Sequence, residues 1–523
     1  MSFDCLVVIV VLTIAIGALI RECMRPGLIL LTASIVFMCL GILTPSEMLE
    51  GFSNKGMITV ALLFLVSEGV RRSGLLGGLI ERLLPKGKAG VRRVHFRLLP
   101  AVSFISAFLN NTPVVVIFAP MIKRWAERHG QAATKFLIPL SYATILGGMC
   151  TLIGTSTNLV VNGMVTDSGF EGFSMFELGK VGLIIAVVGL LYITFVSPLL
   201  LPQDRSDRQP EELSLEQEAG GKLRRVEVVL GARFPAIGKK VRDFDFPKKY
   251  GALLVEIRRA GQTFIMHDMR SERFREGDTL VLLADQAFMS NWGDSSFFLM
   301  VSSAEEKGAS LGRFKAWLAV VLVVLMVAGA TIGELPSVKA ALGSFRLDMF
   351  FFACITTALM AVSGIFPARK YTKFVSWDIL VTIAAAFAVS KAMQNSGMAD
   401  AVAGWAVGLT DSLGPTALLV VVYVITNLFT ELMTNNAAAA LSFPISLSMA
   451  QALGASPMPF FVTICIAASA SFSTPIGYQT NLIVQGVGGY RFADFVRVGL
   501  PLNIICLLLS ALFVPLIWPF FPV

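Results

Sequence analysis

The chain has 523 residues, is 55% hydrophobic and only 15% charged, and carries a mean hydropathy of +0.73 and a formal net charge of +8. So apolar a composition excludes a soluble globular protein of this length, whose surface would need many more polar side chains. The basic excess does not point to nucleic acid either: residues 203–313 hold 18 basic and 18 acidic side chains, which leaves 25 of the 43 basic and 17 of the 35 acidic residues on the apolar remainder, where such an excess marks membrane-flanking segments.

Apolar runs predict membrane spans at about 5–20, 27–43 and 57–70. The first run follows Asp4 and lacks a basic start and a small-residue cleavage site, so it reads as a span rather than a leader. Loop 71–97 carries Arg71, Arg72, Arg82, Lys86, Lys88, Arg92, Arg93 and Arg97 and is expected on the cytoplasmic side. A re-entrant hairpin is predicted over about 98–122, with arms of roughly twelve residues and Asn111 near its tip. A broken span follows at about 135–167, interrupted at Gly154–Asn158, and then a span at about 178–200. The second half is expected to repeat this order: spans at about 315–333, 347–366 and 379–394, an external hairpin at 416–449, a broken span at 459–489 and a last span at 498–520. The seven cysteines are scattered, with no pairing or metal spacing, and all three histidines (His95, His129, His267) are read in loops or the insert.

The two halves share a register. Thr59, Phe64, Ser67, Ser73 and Gly74 recur as Thr382, Phe387, Ser390, Ser396 and Gly397, at an offset of 323. Asn110-Asn111-Thr112-Pro113 answers to Thr434-Asn435-Asn436, and Gly154-Thr155-Ser156-Thr157-Asn158 to Gly477-Tyr478-Gln479-Thr480-Asn481. Gly182, Pro198 and Pro202 recur as Gly499, Pro515 and Pro519, so one gap of six residues absorbs most of the drift. The counterpart of the basic loop, 394–415, has no Lys or Arg but has Asp400 and Asp411, which predicts that it faces the other side. Equivalent loops on opposite sides define an inverted repeat. The expected fold is therefore a polytopic α-helical membrane protein with two re-entrant hairpins and two broken helices, its repeats at 1–202 and 304–523.

Between them, 203–221 reads as a polar linker and 222–303 as a small α/β domain, with strands expected at Arg225–Leu230, Ala252–Arg258 and Thr279–Ala284 and a turn at Gly277-Asp278. Its segments Val255-Glu256-Ile257-Arg258-Arg259-Ala260-Gly261 and Gly277-Asp278-Thr279-Leu280-Val281-Leu282 resemble a TrkA C-terminal domain, in one copy. That resemblance implies a cytoplasmic module, regulatory with a ligand of its own or a structural cap without one.

A break at membrane depth survives only around a polar cavity, because backbone in lipid must satisfy its own hydrogen bonds. Asn111-Thr112 and then Pro113 suit the start of a helix, and Thr157-Asn158 and Thr480-Asn481 are expected to cap the second halves of the broken spans. Four helix N-termini converging on one place could hold an anion, while the carbonyl ends and the Asn and Thr oxygens suit a hard cation such as sodium. The plainer alternative is that these residues only cap kinks or join helices. Their occurrence at four repeat-related positions favours a site. The candidates are Asn110, Asn111, Thr112, Gly154, Thr155, Thr157, Asn158, Thr434, Asn435, Asn436, Gly477, Thr480 and Asn481. Glu431, four residues before Asn435, is an intramembrane carboxylate and a candidate for coupling, or else a structural partner for neighbouring groups. Glu68 and Lys391 at helix ends read as paired or snorkelling.

These motifs resemble the divalent anion/sodium symporter family of the ion-transporter superfamily, whose halves each carry a Ser-Asn-Thr hairpin tip and a broken helix with a Gly-Thr-x-x-Asn motif. Here the first tip begins with Asn110, and the second begins with Thr434 and ends with Asn436. The runs Leu109–Val115 and Ser471–Asn481 are similar to its sulfate-permease-like branch, which carries TrkA C-terminal domains. The resemblance implies a sodium-coupled symporter of a small divalent anion, sulfate first, with sodium at Asn111 and Asn435, alternating access and a homodimer in the plasma or inner membrane. Other readings are a dicarboxylate/sodium symporter, a sodium/proton antiporter, an arsenite permease or, from another class, a channel gated by the inserted domain. No selectivity-filter sequence favours the channel, and no catalytic Ser/His or metal-binding His-Glu motif in the spans favours an enzyme.

Overall fold

In a computed structural model the chain is described except for residues 1, 22–23, 88, 204–223, 232, 260–261, 286–287, 289–290, 293–294, 296, 304–310, 343–345, 411–413 and 522–523. The linker expected at 203–221 lies, but for Gln203, outside the described residues. Among the described residues, nine helices of nine or more residues precede a sheet and nine follow it. The first nine are α1 (Phe3–Ile20), α2 (Pro26–Cys39), α3 (Lys55–Arg72), α4 (Leu75–Leu83), α5 (Val91–Ser106), α6 (Asn111–Arg128), α7 (Leu137–Gly148), α8 (Ser156–Asp167) and α9 (Gly179–Phe195). The second nine are α10 (Arg313–Gly333), α11 (Met349–Val362), α12 (Trp377–Asn395), α13 (Met398–Thr410), α14 (Pro415–Leu432), α15 (Asn435–Ala452), α16 (Met458–Ser469), α17 (Gln479–Gly488) and α18 (Phe492–Ile517). Among the described residues, six helical segments are long and apolar enough to cross a bilayer.

The packing follows the repeat. Helix α2 packs on α12 and α11 on α3, which are the same pair seen from each half. The same holds for α5 on α7 and α14 on α16, and for α6 on α17 and α15 on α8. Small residues permit the close approaches: Ser34 on α2 donates to Ala385 O on α12 at 3.2 Å, and most of α15, from Ala437 to Ala450, is buried.

Three boundaries differ from the sequence reading. The first hairpin arms, α5 and α6, are 16 and 18 residues long, because the apolar stripe continues past the segment that is apolar all round. The two supposed loops, 71–97 and 394–415, contain helices α4 and α13; α4 is nine residues long and buries only Ile80, too short an element to show as a span. His95 is not in a loop. It is fully buried on α5, with Nε2 3.0 Å from Lys135 O.

The sheet has five antiparallel strands in the order β3-β2-β4-β1-β5: β1 (Arg224–Leu230), β2 (Ala252–Arg259), β3 (Gln262–Ile265), β4 (Thr279–Ala284) and β5 (Phe298–Ser303). Three of the five match the expected strands. The other two, β3 and β5, are the edges of the sheet; β3 is only four residues long and β5 opens on the run Phe298-Leu299-Met300-Val301, with no alternation to mark it as a strand. Central β4 is buried along its whole length, over a core of Phe234, Phe244, Phe246, Tyr250 and Phe274.

The sheet docks on α6 and α17. Gly277, in the turn at φ +80°, lies under Leu482 of α17, where a Cβ would come within 2.6 Å of that side chain. Lys123 of α6 donates to Glu227 Oε2 of β1 at 2.8 Å, and Arg258 reaches the other oxygen at 3.1 Å. Burial alone would raise the Glu227 carboxyl, but the charges of Lys123 and Arg258 outweigh it and hold it at about 2. A carboxyl lowered from 4.5 to about 2 contributes its full stability above its unfolded value and loses it as the pH falls towards 2. Docking should therefore be insensitive to pH near neutrality, and Glu227→Gln should speed hydrogen exchange in β1 and the end of α6. Unchanged exchange there would remove this ion pair from the docking.

Candidate functional site

The four motifs meet where the halves cross. Helix α6 begins at Asn111 and α15 at Asn435; α8 and α17 begin just before Asn158 and Asn481, each the third residue of its helix. The N-cap positions are Asn110, Thr434, Thr155 and Tyr478, and none makes a side-chain capping bond. This corrects the expected caps. Pro113 stands third in α6, and Thr157, Asn158, Thr480 and Asn481 lie inside their helices. Four helix starts are thus left with first-turn N–H groups that no capping side chain takes, the feature that makes a helix N-terminus bind anions.

The asparagines do other work. Asn158 Nδ2 donates back across the break to Gly148 O (3.3 Å) and Thr151 O (2.9 Å); Asn481 Nδ2 does the same to Ser471 O (2.9 Å) and Thr474 O (3.1 Å). Each pins the carbonyl end of one half-helix to the start of the next, which is why the breaks run over 149–155 and 470–478 rather than at the asparagines. Gly154 and Gly477 allow the tight return: a Cβ would meet Gly148 O at 2.6 Å in one and Ser471 Oγ at 2.1 Å in the other.

At the tips, Ser106 Oγ donates to Asn111 Oδ1 (2.6 Å) and Thr430 Oγ1 to Asn435 Oδ1 (2.7 Å). Each tip then reaches the opposite half. Asn111 Nδ2 donates to the Tyr478 phenol at 2.5 Å, and Thr112 Oγ1 lies 3.4 Å from Gln479 Oε1. Asn436 Oδ1 in turn accepts from Ser156 Oγ (3.2 Å) and Thr157 Oγ1 (3.3 Å). Thr155 Oγ1 lies 3.2 Å from the same phenol, and the Asn435 side chain lies near it. Tyr478 is therefore the hub of the arrangement. Ser141 Oγ on α7 contacts Thr480 Oγ1 (2.8 Å) and donates to Asn481 Oδ1 (2.7 Å). Asn110 stands apart, on a cavity of about 20 Å³ shared with Ser67 and Ser156, room for about one water. The Thr434 hydroxyl is buried and has no hydrogen-bond partner among the described residues.

A model of the citrate transporter family matches residues 10–466. The chain belongs to the citrate transporter family. It is an integral membrane transporter, not an enzyme. Among other relatives of this transporter, an uncharacterized transporter of Synechocystis sp. is 29% identical over 93% of this chain and 92% of that protein. Sodium/sulfate cotransporter 1 of Chlamydomonas reinhardtii is 22% identical over 88% of this chain and 84% of its own length. The solved YdaH transporter of Alcanivorax borkumensis aligns over 95% of this chain and 98% of that one, at 15% identity and a TM-score of 0.49.

The structure brings together every candidate of this transporter's sequence except Asn110, which is turned to its cavity, Thr434, and Glu431, which contacts the second break instead of a tip. Sequence reasoning missed Tyr478, Ser141, Ser106 and Thr430. The last two were detectable, since they lie five residues before Asn111 and Asn435 at the repeat offset of 324. Tyr478 was not, because its repeat partner is Thr155 and only the fold shows what the phenol spans. Tyr478→Phe removes one hydroxyl and leaves Asn111 Nδ2 buried without its acceptor, a cost of about 1–3 kcal/mol. Anion uptake should fall at least several-fold in a protein that still folds, measured as initial rates in proteoliposomes. Wild-type rates would take the phenol out of the site.

Proposed function

We propose that the chain is a secondary active symporter of a small divalent anion, sulfate by preference, driven by sodium through alternating access of two inverted repeats. The observation that carries the reading is the exchange of contacts between halves: tip one on break two and tip two on break one. A site shared across such an interface changes access when the halves rock or slide. The uncapped starts of α6, α8, α15 and α17 supply positive potential for the anion without a buried Lys or Arg. Sodium is assigned to the tips at Asn111 and Asn435, whose amide oxygens each accept one hydroxyl, from Ser106 and Thr430, and keep a second lone pair. Bound sodium and bound anion then stabilise one another, so anion affinity should rise with sodium.

Sulfate is favoured by the cotransporter relatives named for it and by the Ser471–Asn481 run. Citrate or another carboxylate is the second reading, favoured by the name of the family. The sheet is read as a TrkA-C-like module on the cytoplasmic side, beneath the helices that start at the site. The test is uptake of radiolabelled sulfate into proteoliposomes with and without a sodium gradient, repeated with excess citrate. Sodium-driven sulfate uptake that citrate does not suppress supports the proposal. Uptake of citrate alone supports the second reading, and sodium-independent uptake of equal affinity removes the coupling.

A further inference from the structure

Glu431 occupies a place where the two repeats differ. In the first, Thr151 Oγ1 donates to Ala107 O and accepts from Gly154 N (3.1 Å); in the second, Thr474 Oγ1 donates to Glu431 O (3.0 Å) and accepts from Gly477 N (3.3 Å). Ala107 and Glu431 are thus equivalent by contact as well as by spacing, each four residues before its tip asparagine. The neighbours differ in the same way. Ser473 answers to Cys150, and Asn503 to Ala186, as fixed by Gly182 and Gly499, which abut Met149 and Phe472. The first repeat builds the same junction of hairpin, break and following helix from Ala107, Cys150 and Ala186. Building it does not require a carboxylate.

In the second repeat Glu431 Oε1 accepts from Ser473 N–H (2.7 Å) and from Asn503 Nδ2 (2.7 Å), and Asn503 Nδ2 also lies 2.8 Å from Ser473 Oγ. Oε1 is therefore fully used. Glu431 Oε2 and Asn503 Oδ1 are both buried atoms with no partner among the described residues; Asn503 is 6% exposed and Glu431 as a whole is half-buried. No basic side chain pairs with Glu431 among the described residues. Among the described residues, the titratable side chains that face it are Tyr142 on α7 and Tyr423 on its own helix, with Cys506 of α18 beside the latter. Of the elements packed on α14, α15 has no ionisable side chain and α16 only Cys465. Helix α13 adds Asp400, and α18 adds Asp494 and Arg497 nearer its start. Tyrosine and cysteine are neutral near pH 7, so nothing adjacent offsets an ionised Glu431. A buried carboxylate without a counter-charge takes up a cation or a proton.

We propose that Glu431 and Asn503 form a one-proton site. The proton sits on Oε2 and is donated to Asn503 Oδ1, while Asn503 Nδ2 donates to Oε1. One proton then satisfies both orphaned oxygens, and the side chain is neutral. Losing it leaves a bare charge at the point where α14, the second break and α18 meet, so release of the proton favours parting of that junction. The site makes the junction of the second repeat sensitive to pH and that of the first repeat not. This inference rests on the chain being a transporter with a working hairpin, and not on its substrate or on sodium.

The test reads the proton directly. Infrared spectra of the purified transporter in lipid, near neutral pH, should show a protonated-carboxyl C=O band that Glu431→Gln abolishes and Asn503→Ala shifts, with sodium present or absent. No such band in the wild type, or a band unaltered by Glu431→Gln, overturns the proposal; so does a band that appears only when sodium is withdrawn, since sodium would then hold the site. Should Glu431→Gln fail to fold, the Asn503→Ala shift decides alone. In uptake assays the wild-type rate should change about tenfold across the two pH units around the site's midpoint, as one titrating group requires, while Glu431→Gln stays flat. A failure to transport any anion would sink the functional reading and leave the infrared result standing.

Discussion

Alanine at Asn111 is expected to stop anion uptake in a protein that still reaches the membrane folded, and alanine at Asn435 to do the same. Asn111 is fully buried and its two ends have different duties: Oδ1 holds Ser106 and Nδ2 holds Tyr478. Truncation leaves the Ser106 hydroxyl without its acceptor, at about 1–3 kcal/mol, takes one of its partners from the Tyr478 phenol, and releases the first residue of α6 from the opposite half. A displacement of about 1 Å in a positioned group can cost about a hundredfold in rate, which sets the expected loss for either variant. Asn111 holds the Tyr478 phenol and Asn435 lies near it, so their effects should not add. The double variant should be little slower than either single one. Initial uptake rates, normalised to the monodisperse protein recovered in detergent, provide the check. A rate within about threefold of wild type in either single variant would show that the tip does not position the ligand.

How far the sequence could be read depended on whether a residue's role is local. The order of spans, hairpins and broken helices was legible because apolar runs and Gly/Pro interruptions are local signals, and the shared register supplied a second copy of each. Asn158 and Asn481 were legible as important but not in their role. As the third residue of a helix, each looks like a cap, and only the fold shows the amide turned backwards across the break. Helix α4 reads as a loop because it is nine residues long, carries Gly77-Gly78 and lies among flanking basic residues that charge counting assigns to a loop. The Tyr478 hub and the Glu431–Asn503 pair were out of reach, since each joins residues distant in sequence whose meeting depends on how the two halves cross. The difference between Glu431 and Ala107 was nonetheless in the register all along. A departure from an otherwise kept repeat is a sequence signal for chemistry that only one half performs.

The second large effect expected is on folding, at Gly499 and its repeat partner Gly182. A Cβ on Gly499 would lie 2.0 Å from Phe472 O and 2.3 Å from the Phe472 carbonyl carbon; on Gly182 it would lie 2.4 Å from Met149 O. The obstacle in both is backbone of a break, already pinned by Asn481 or Asn158, so it cannot swing aside as the end of a side chain would. Overpacking of about this kind costs 1–3 kcal/mol or more even where neighbours can shift. Gly499→Ala should therefore lose most of its folded yield. Gly182→Ala, with more clearance, should be less severe but still lower the melting temperature. Gly404 and Gly408 on α13 face open space, and alanine there should be neutral or mildly stabilising, because it only raises helix propensity. Detergent-solubilised yield and thermal melts of the four variants would test the order. Gly499 is also one turn before Asn503, so any shift of α18 that relieves the clash draws Asn503 away from Glu431. A surviving fraction of Gly499→Ala should then have lost the pH response together with its stability, whereas Gly182→Ala, whose half carries Ala186 and Ala107 in those places, should keep it.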